Sequence, residues 1–427
     1  MINKKSVVIL GAGFGGIAAA LKLGKMMKRS GLSKKYNIFL INERSYHTFY
    51  PLLYEVATTS KETAALLALE DIVNYKIEDI FNGLPVVFVQ GKASEIDFKN
   101  KTIISTDGII PFDHLIFALG AETNFFNIPN MEETAITLKS FKDAVQIRDA
   151  IWNLAMEGNE KINIIIGGGG SSGVELAGEL REWSDELKDS FRNVELKVKI
   201  IEAAPTILPG FHSKVIYLAK QRLLRLGVEI INGQPIKEVG DNKIKLANGS
   251  AVPFDVLIWT GGTKAPSLIN DMPFKKDKKG RMEVDGTLEC QPAASDLAVL
   301  PSIYVIGDSA CFYSPKTGNP IPAVARVAIE QGKIAAYNIF EDIKAEEKNK
   351  DTIRHFTYKP IDYPTITPVG GKFIIARIGP FVFKGLKAWI FKGLIEFNYL
   401  ISIMPFWKAV QIWLYGLYIF GKNDRLG

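Results

Sequence analysis

The sequence predicts an α/β protein whose two halves are built alike on parallel sheets, followed by an amphipathic helical tail. Three observations carry this expectation. A strand, glycine turn and helix pattern occurs twice, once near the start and once near residue 165. Each copy leads to a second apolar strand that ends on an acid. The residues from Gly371 onward are basic, aromatic and amphipathic.

The first copy opens with Val7-Val8-Ile9-Leu10, mostly β-branched and reading as a buried parallel strand. Gly11-Ala12-Gly13-Phe14-Gly15-Gly16 follows, and Gly11, Gly13 and Gly16 fit G-x-G-x-x-G. Gly11 allows the tight turn, Gly13 lets the backbone approach a pyrophosphate, and Gly16 lets the helix that continues from Ile17 pack on the strand. The pyrophosphate then sits on the helix N-terminus, where free N–H groups and the dipole favour an anion. Ile38-Phe39-Leu40-Ile41 ends on Asn42-Glu43, and an acid at that strand tip accepts both ribose hydroxyls. The gap to Glu43 is long, so Lys25 to Lys35 extends the helix and loop. A bare G-x-G-x-x-G is weak, but with strand, helix and acid in order it specifies a dinucleotide site.

Next comes Tyr46 to Ala57, an apolar stretch too irregular for one element; it reads either as a cover for a flat ligand or as a core loop. Residues 86–89, 91–96 and 102–105 look like short antiparallel strands. Phe112 to Ala121 is an apolar strand ending in small residues, which lets a ligand approach the backbone.

Ile162 to Gly167 begins the pattern again. Gly168-Gly169-Gly170-Ser171-Ser172-Gly173 is a second G-x-G-x-x-G, Val174 to Trp183 its helix, and Val198 to Glu202 the acid-tipped strand. Phe254 to Gly262 mirrors Phe112 to Gly120, so the repeat covers three elements per half and predicts two nucleotide sites. Glu202 favours NADH over NADPH, since Ala203-Ala204-Pro205 follow it with no Arg for a 2′-phosphate.

Ser302 to Ile306 reads as a further buried strand ending in Gly307-Asp308, where the Asp either bonds a ribityl hydroxyl or simply caps a helix. Pro322 to Ile339 reads as a helix, and residues 357–378 as a return to strands. In the tail, a helix over Val382–Asn398 would align Phe383, Leu386, Ile390, Leu394 and Phe397 on one face, with Lys384, Lys387, Lys392 and Glu396 elsewhere. Pro405 then opens a second helix with Trp407, Val410, Leu414 and Leu417 on one face.

Composition narrows the function. The chain has 427 residues, enough for two or three domains, and no run of 18 uncharged apolar residues to span a bilayer. The first residues lead straight into a strand with no apolar signal region. Two cysteines, Cys290 and Cys311, leave no disulfide framework, structural zinc site or redox pair beside the first strand, and four scattered histidines give no metal-ligand spacing. From Gly371 on there are eight Lys/Arg against two Asp/Glu, which matches the net +6 of the whole chain. A neutral body with a basic aromatic tail points to an anionic lipid surface and not to nucleic acid. A helical hairpin packed on the body, with a homodimer contact as one form of it, is the competing explanation of that tail.

With these motifs placed, the chain resembles the type II NADH dehydrogenases, single-subunit NADH:quinone oxidoreductases. The resemblance covers nearly the whole length and rests on Tyr46 to Ala57, Leu119 to Phe126, Gly168 to Leu180 and Ile303 to Asp308. It implies two Rossmann-like domains and a C-terminal amphipathic membrane-anchoring hairpin. The implied FAD domain is split into two segments, 1–122 and 266–370, by an inserted NADH domain at 123–265, and the membrane region is 371–427. FAD is implied at Gly11, Gly13, Phe14, Gly15, Gly16, Glu43, Arg44, Ala93, Ala118, Leu119, Gly120 and Asp308. NADH is implied at Gly168, Gly170, Ser172, Gly173, Glu175, Glu202, Gly261 and Gly262. Glu175 is the implied catalytic residue, near nicotinamide and flavin; a carboxylate at a positive helix terminus is its ordinary explanation. The quinone-side helix of the family reads Ala-Gln-x-Ala-x-Gln, and here Ala325, Arg326 and Glu330 match it, with both glutamines replaced. At i,i+4 Arg326 and Glu330 are placed to pair.

The implied activity is non-proton-pumping electron transfer from NADH through FAD to a membrane quinone, in a peripheral protein on the cytoplasmic face of the inner membrane. Three alternatives stay open. A soluble NAD(P)H-dependent reductase of a small redox protein would not need the hairpin. A sulfide:quinone oxidoreductase would need more cysteines. A flavoprotein sensor would form a long-lived complex with NADH in place of turnover.

Overall fold

The structure, a computed structural model, describes residues 4–191, 193–293, 303–350 and 353–423. Ser302, at the start of one expected strand, and residues 424–427 of the tail lie outside the described residues. The chain divides into two compact units. The first holds Met1–His47, Tyr75–Glu122 and Thr263–Ile361; the second holds Thr48–Asn74, Thr123–Gly262 and Asp362–Gly427.

The first unit is organised by a five-stranded parallel sheet in the order Ile303–Val305, His114–Phe117, Lys5–Leu10, Tyr36–Asn42, Val86–Gln90. Val7, Val8 and Ile9 are fully buried at its centre, as a strand covered on both faces requires. The sequence pattern puts Val86–Gln90 in an antiparallel group, but it pairs parallel with Tyr36–Asn42, Ile38 opposite Val86 and Asn42 opposite Gln90. Its mixed burial resembles that of an antiparallel strand because it is the sheet edge. The antiparallel group is Ala93–Asp97, Thr102–Ser105 and Gly108–Pro111.

The second unit repeats the plan. Its five parallel strands run Ile136–Thr137, Val256–Trp259, Lys161–Gly167, Glu195–Glu202, Glu229–Asn232. In both sheets the strand before the glycine turn is central, with the acid-tipped strand on one side and the glycine-ended strand on the other. The second unit also has its own antiparallel trio, Ile236–Gly240, Lys243–Leu246 and Ala251–Pro253.

The tail belongs to this unit. Thr365–Pro368, Ile374–Ile378 and Phe381–Lys384 form an antiparallel sheet, and Leu386–Ile403 is a helix whose Ala388 packs on Ile374 and Ala376. The helix expected from Val382 therefore starts four residues late. Phe381-Val382-Phe383 favours a strand, and Gly385 turns at φ +72° before the helix. Phe383 consequently packs on the sheet side and is not part of the helix face. The last helix, Phe406–Asn423, folds back so that Trp413 Nε1 donates to the Gly393 carbonyl at 2.9 Å. No helix among the described residues is long and apolar enough to cross a membrane.

Candidate functional site: two glycine cradles

In the first unit the chain turns at Gly11 with φ +100°, and its N–H donates to Ile41 O at 2.8 Å. A side chain there would overlap the Ala118 carbonyl, so only glycine fits between the two strands. A Cβ on Gly16 would strike the Gly11 carbonyl. Gly13, the N-cap of the Phe14–Ser30 helix, is different: a Cβ there would meet no atom within 4 Å. Open space lies over an N-terminus whose first N–H groups need acceptors, which is what a pyrophosphate requires. Glu43 and Arg44 stand exposed at the strand tip, and Ala93 begins the adjoining antiparallel trio. Ala118, Leu119 and Gly120 follow the neighbouring strand, and Ser309 Oγ donates to Gly120 O at 2.8 Å. Asp308 sits beside it in the Gly307–Ser309 turn.

Three side chains that spacing alone does not single out hold this cradle. Asn42 Oδ1 accepts from Ala12 N–H at 3.0 Å. Buried His47 donates from Nδ1 to Ala12 O at 2.8 Å and meets the Phe14 ring edge-on, with centroids 5.1 Å apart. Burial lowers the His47 pKa to about 4, against the smaller effect of that hydrogen bond, so the ring stays neutral at neutral pH. Gln331 Oε1 accepts from Gly307 N–H at 2.7 Å. Asn42 ends a strand that the acid pattern marks, and His47 lies in the stretch from Tyr46 to Ala57 that carries the resemblance; the spacing gives neither His47 nor Gln331 this role.

The second unit reproduces the turn. Gly168 has φ +110°, its N–H donates to Ile201 O at 2.8 Å, and a Cβ would collide with Gly261. Gly173 fits against the Gly168 carbonyl, and Gly170 again faces open space at the N-cap of the Ser171–Ser190 helix. Ser172 is exposed in the first turn. Gly262 has φ +86° and lies against the Phe126 ring. Glu202 Oε2 accepts from Gly169 N–H at 2.6 Å and Oε1 from Ala204 N–H at 2.7 Å. Two backbone donors thus fix the carboxylate plane and leave lone pairs for a diol.

Glu175 lies on the same helix, half-buried, with its pKa raised to about 7. Burial is the main cause; Lys392 opposes it and Glu55 adds to it. A carboxyl with that pKa is partly protonated at neutral pH. Lys392 is not the lipid-facing cation the tail pattern implied. It is largely buried, 2.7 Å from Glu55 and 2.9 Å from Glu396, because the tail helix turns it into the unit. Burial raises the Glu396 pKa, with Lys392 opposing. Tyr54 donates to Glu55 Oε1 at 2.9 Å. Residues 46–57 thus include the short helix Leu53–Ala57 that delivers Glu55 to this cluster.

On the Ala325–Glu347 helix of the first unit, Arg326 Nε pairs with Glu330 Oε1 at 3.0 Å, as the i,i+4 spacing implied. Ala325 begins that helix.

Comparison with known proteins bears on both cradles. A family model described as pyridine nucleotide-disulphide oxidoreductase matches residues 5–332. The type II NADH:quinone oxidoreductase Ndh of Mycobacterium tuberculosis is 30% identical over 94% of this chain and 85% of its own. The chain belongs to that family. The type II NADH:quinone oxidoreductase of Staphylococcus saprophyticus is 27% identical, over 92% of this chain and 94% of its own. Among solved structures, NDH2 from Plasmodium falciparum in complex with NADH shares the fold at TM-score 0.81 and 19% identity, covering 99% and 98% of the two chains. The sulfide:quinone oxidoreductase of Aquifex aeolicus aligns less well, at TM-score 0.73 and 20% identity over 96% and 92% of the chains.

Members of the family are FAD-dependent enzymes that oxidise NADH and reduce quinone, and the activity of this chain is the same. Two cradles with open space over glycine N-caps fit the two dinucleotides.

Proposed function

We propose the following division of labour. The first cradle holds FAD by Gly11, Gly13, Phe14, Gly15 and Gly16, with Glu43 at the ribose, Arg44 and Ala93 flanking it, and Ala118, Leu119, Gly120 and Asp308 along the remainder of the cofactor. The second holds NADH by Gly168, Gly170, Ser172 and Gly173, with Glu202 on the ribose diol and Gly261 and Gly262 allowing close approach. Bound FAD supplies a ring that accepts a hydride and passes electrons onward. Glu175 orients the nicotinamide and exchanges protons at its carboxyl. Ala325, Arg326 and Glu330 form the quinone side.

The observation that carries this reading is the paired open space at Gly13 and Gly170, each held by the same N–H to carbonyl bond from the first glycine of its turn. The test is to resolve the half-reactions by stopped flow. NADH should bleach the flavin in the absence of quinone, and a short-chain quinone should restore it. A long-lived NADH complex without quinone-dependent reoxidation would favour the sensor reading instead.

We further propose that the tail rests on an anionic membrane as a peripheral anchor, on the cytoplasmic face where the leaflet is anionic. Support comes from exposed Leu386, Ile390, Leu394, Trp407 and Leu414, with Trp407 79% exposed. Lys384, Lys387 and Lys408 stand among them. Truncation before Gly379, the obvious test, would remove Lys392 from Glu55 and a strand from the sheet. Leu394→Gln with Trp407→Ser is the cleaner variant. It should lose flotation with anionic liposomes while keeping FAD; a shift from dimer to monomer without any change in flotation would support the dimer-contact reading.

A further inference from the structure

A cleft of about 170 Å³ opens in the second unit between the Ser213–Arg225 helix and the antiparallel sheet of the tail. Tyr217, Leu218, Gln221, Arg222, Arg225, Phe373 and Lys384 line it. Three of these are cations and none is an acid. The cations do not merely happen to be near. The Arg222 guanidinium lies 5.0 Å from the centroid of the Phe373 ring, and Lys384 Nζ lies 5.6 Å from the same centroid. One ring therefore brings two like charges to one place, and Glu182 offsets the charge of Arg222. The nearby acid is Glu182, which is not among the lining residues and whose Oε1 accepts from Arg222 Nη2 at 2.7 Å. That bond, with the longer one from Nε to Val369 O at 3.4 Å, orients the guanidinium as a fixed fork. Arg225 and Lys384 are exposed at the rim, and Tyr217 is 61% exposed.

A planar guanidinium backed by a carboxylate, two rim cations and an aromatic wall form a receptor for a tetrahedral oxyanion. We propose that this cleft binds phosphate, and that the phosphate it takes is the headgroup of an anionic lipid. The lipid source rests on the membrane reading of the tail. Its support is continuity: Lys384 ends the strand that begins with Phe381, which is 74% exposed, and Leu386 opens the apolar helix face two residues later. A headgroup held by Lys384 would place its acyl chains along that face.

The test uses the full-length holoenzyme and the double variant Arg225→Gln, Lys384→Gln, which leaves the structural Arg222–Glu182 pair intact. Binding is measured to phosphatidylcholine vesicles carrying phosphatidic acid, and to vesicles of the same surface charge carrying phosphatidylserine, whose phosphate is shielded by the serine. Calorimetry with inorganic phosphate forms a separate arm. The wild type should prefer phosphatidic acid by roughly tenfold, about the value of one charge-assisted hydrogen bond. The double variant should lose that preference, with a smaller loss on phosphatidylserine that reflects the two removed surface charges. Equal affinity of the wild type for both vesicles, or an equal loss on both in the variant, overturns the site and leaves only diffuse charge. Absence of all vesicle binding, with inorganic phosphate still bound by the wild type and not by the variant, overturns the lipid source and the membrane reading while the phosphate site stands. Absence of both kinds of binding overturns the site altogether.

Discussion

Lys392 and Glu55, far apart in sequence, meet in the second unit as a largely buried ion pair 2.7 Å long. Glu396 closes the group from the next turn of the tail helix. A buried charge that loses its partner costs about 3–5 kcal/mol. Lys392→Met strands two carboxylates, so denaturant unfolding should show a loss of that order. The same change removes the cation that holds the Glu175 pKa down, and the acidic limb of the activity profile that reports Glu175 should move to higher pH. An unshifted profile would show that Glu175 does not sense the pair.

Gly13→Val tests the first cradle with little risk to the fold. A Cβ at Gly13 meets no protein atom within 4 Å, so secondary structure and unfolding cooperativity should survive, whereas flavin absorbance should vanish. Gly16→Val is the contrasting variant, since its side chain would strike the Gly11 carbonyl and should damage the fold itself. Normal FAD content in Gly13→Val would defeat the assignment.

Glu202→Gln should narrow the ratio of kcat/KM between NADH and NADPH by roughly tenfold, the value of about one charged hydrogen bond. In the variant one of the two carboxylate oxygens becomes an NH2 that cannot accept, so either the Gly169 or the Ala204 N–H loses its acceptor, and a higher NADH KM should accompany the change in preference. A wild-type enzyme that prefers NADPH would contradict this reading.

Arg326→Gln with Glu330→Gln removes a pair between exposed Arg326 and half-buried Glu330, and its effect on stability should be within about 1 kcal/mol. We expect a changed quinone KM or acceptor preference with flavin reduction by NADH nearly unchanged. An effect confined to the NADH half-reaction would place these residues elsewhere.

Two titrating groups set opposite pH slopes on stability. His47 has its folded pKa depressed to about 4, so between pH 4 and about 6.5 the unfolded chain binds the extra proton and stability rises with pH. Glu175 has its folded pKa raised to about 7, so between about pH 4.5 and 7 the folded chain binds the extra proton and stability falls with pH. His47→Asn should flatten the first slope and Glu175→Gln the second, each seen in urea midpoints across pH. His47→Asn keeps a donor for the Ala12 carbonyl and should retain FAD, whereas His47→Ala should weaken it.

The features legible in the sequence are those whose cause is local. Gly11 and Gly168 announce a turn because no other residue tolerates their φ between two packed strands, and the strands on either side are continuous apolar runs. The Arg326–Glu330 pair follows from helix spacing alone. What was illegible depends on distant partners. Val86–Gln90 reads as antiparallel until its neighbour is known. Lys392 reads as a surface cation until Glu55, brought from a short helix far upstream, is found beside it. His47 falls in the stretch from Tyr46 to Ala57 that carries the resemblance, but its role exists only because Ala12 presents a carbonyl to it.

The Gly15 and Gly332 backbones touch: a Cβ on Gly332 would overlap the Gly15 carbonyl, and one on Gly15 would press on Ile306 and Ala328 O. The helix that starts the first cradle is therefore seated on a helix made more than 300 residues later. During synthesis the first strand and glycine turn leave the ribosome early and then wait roughly 15–60 s for their support at 5–20 residues per second. Over that interval a chain long enough to display the whole fingerprint has no finished seat for its flavin. Cofactor capture is consequently a late event in biogenesis, and a nascent chain arrested before residue 332 should emerge colourless.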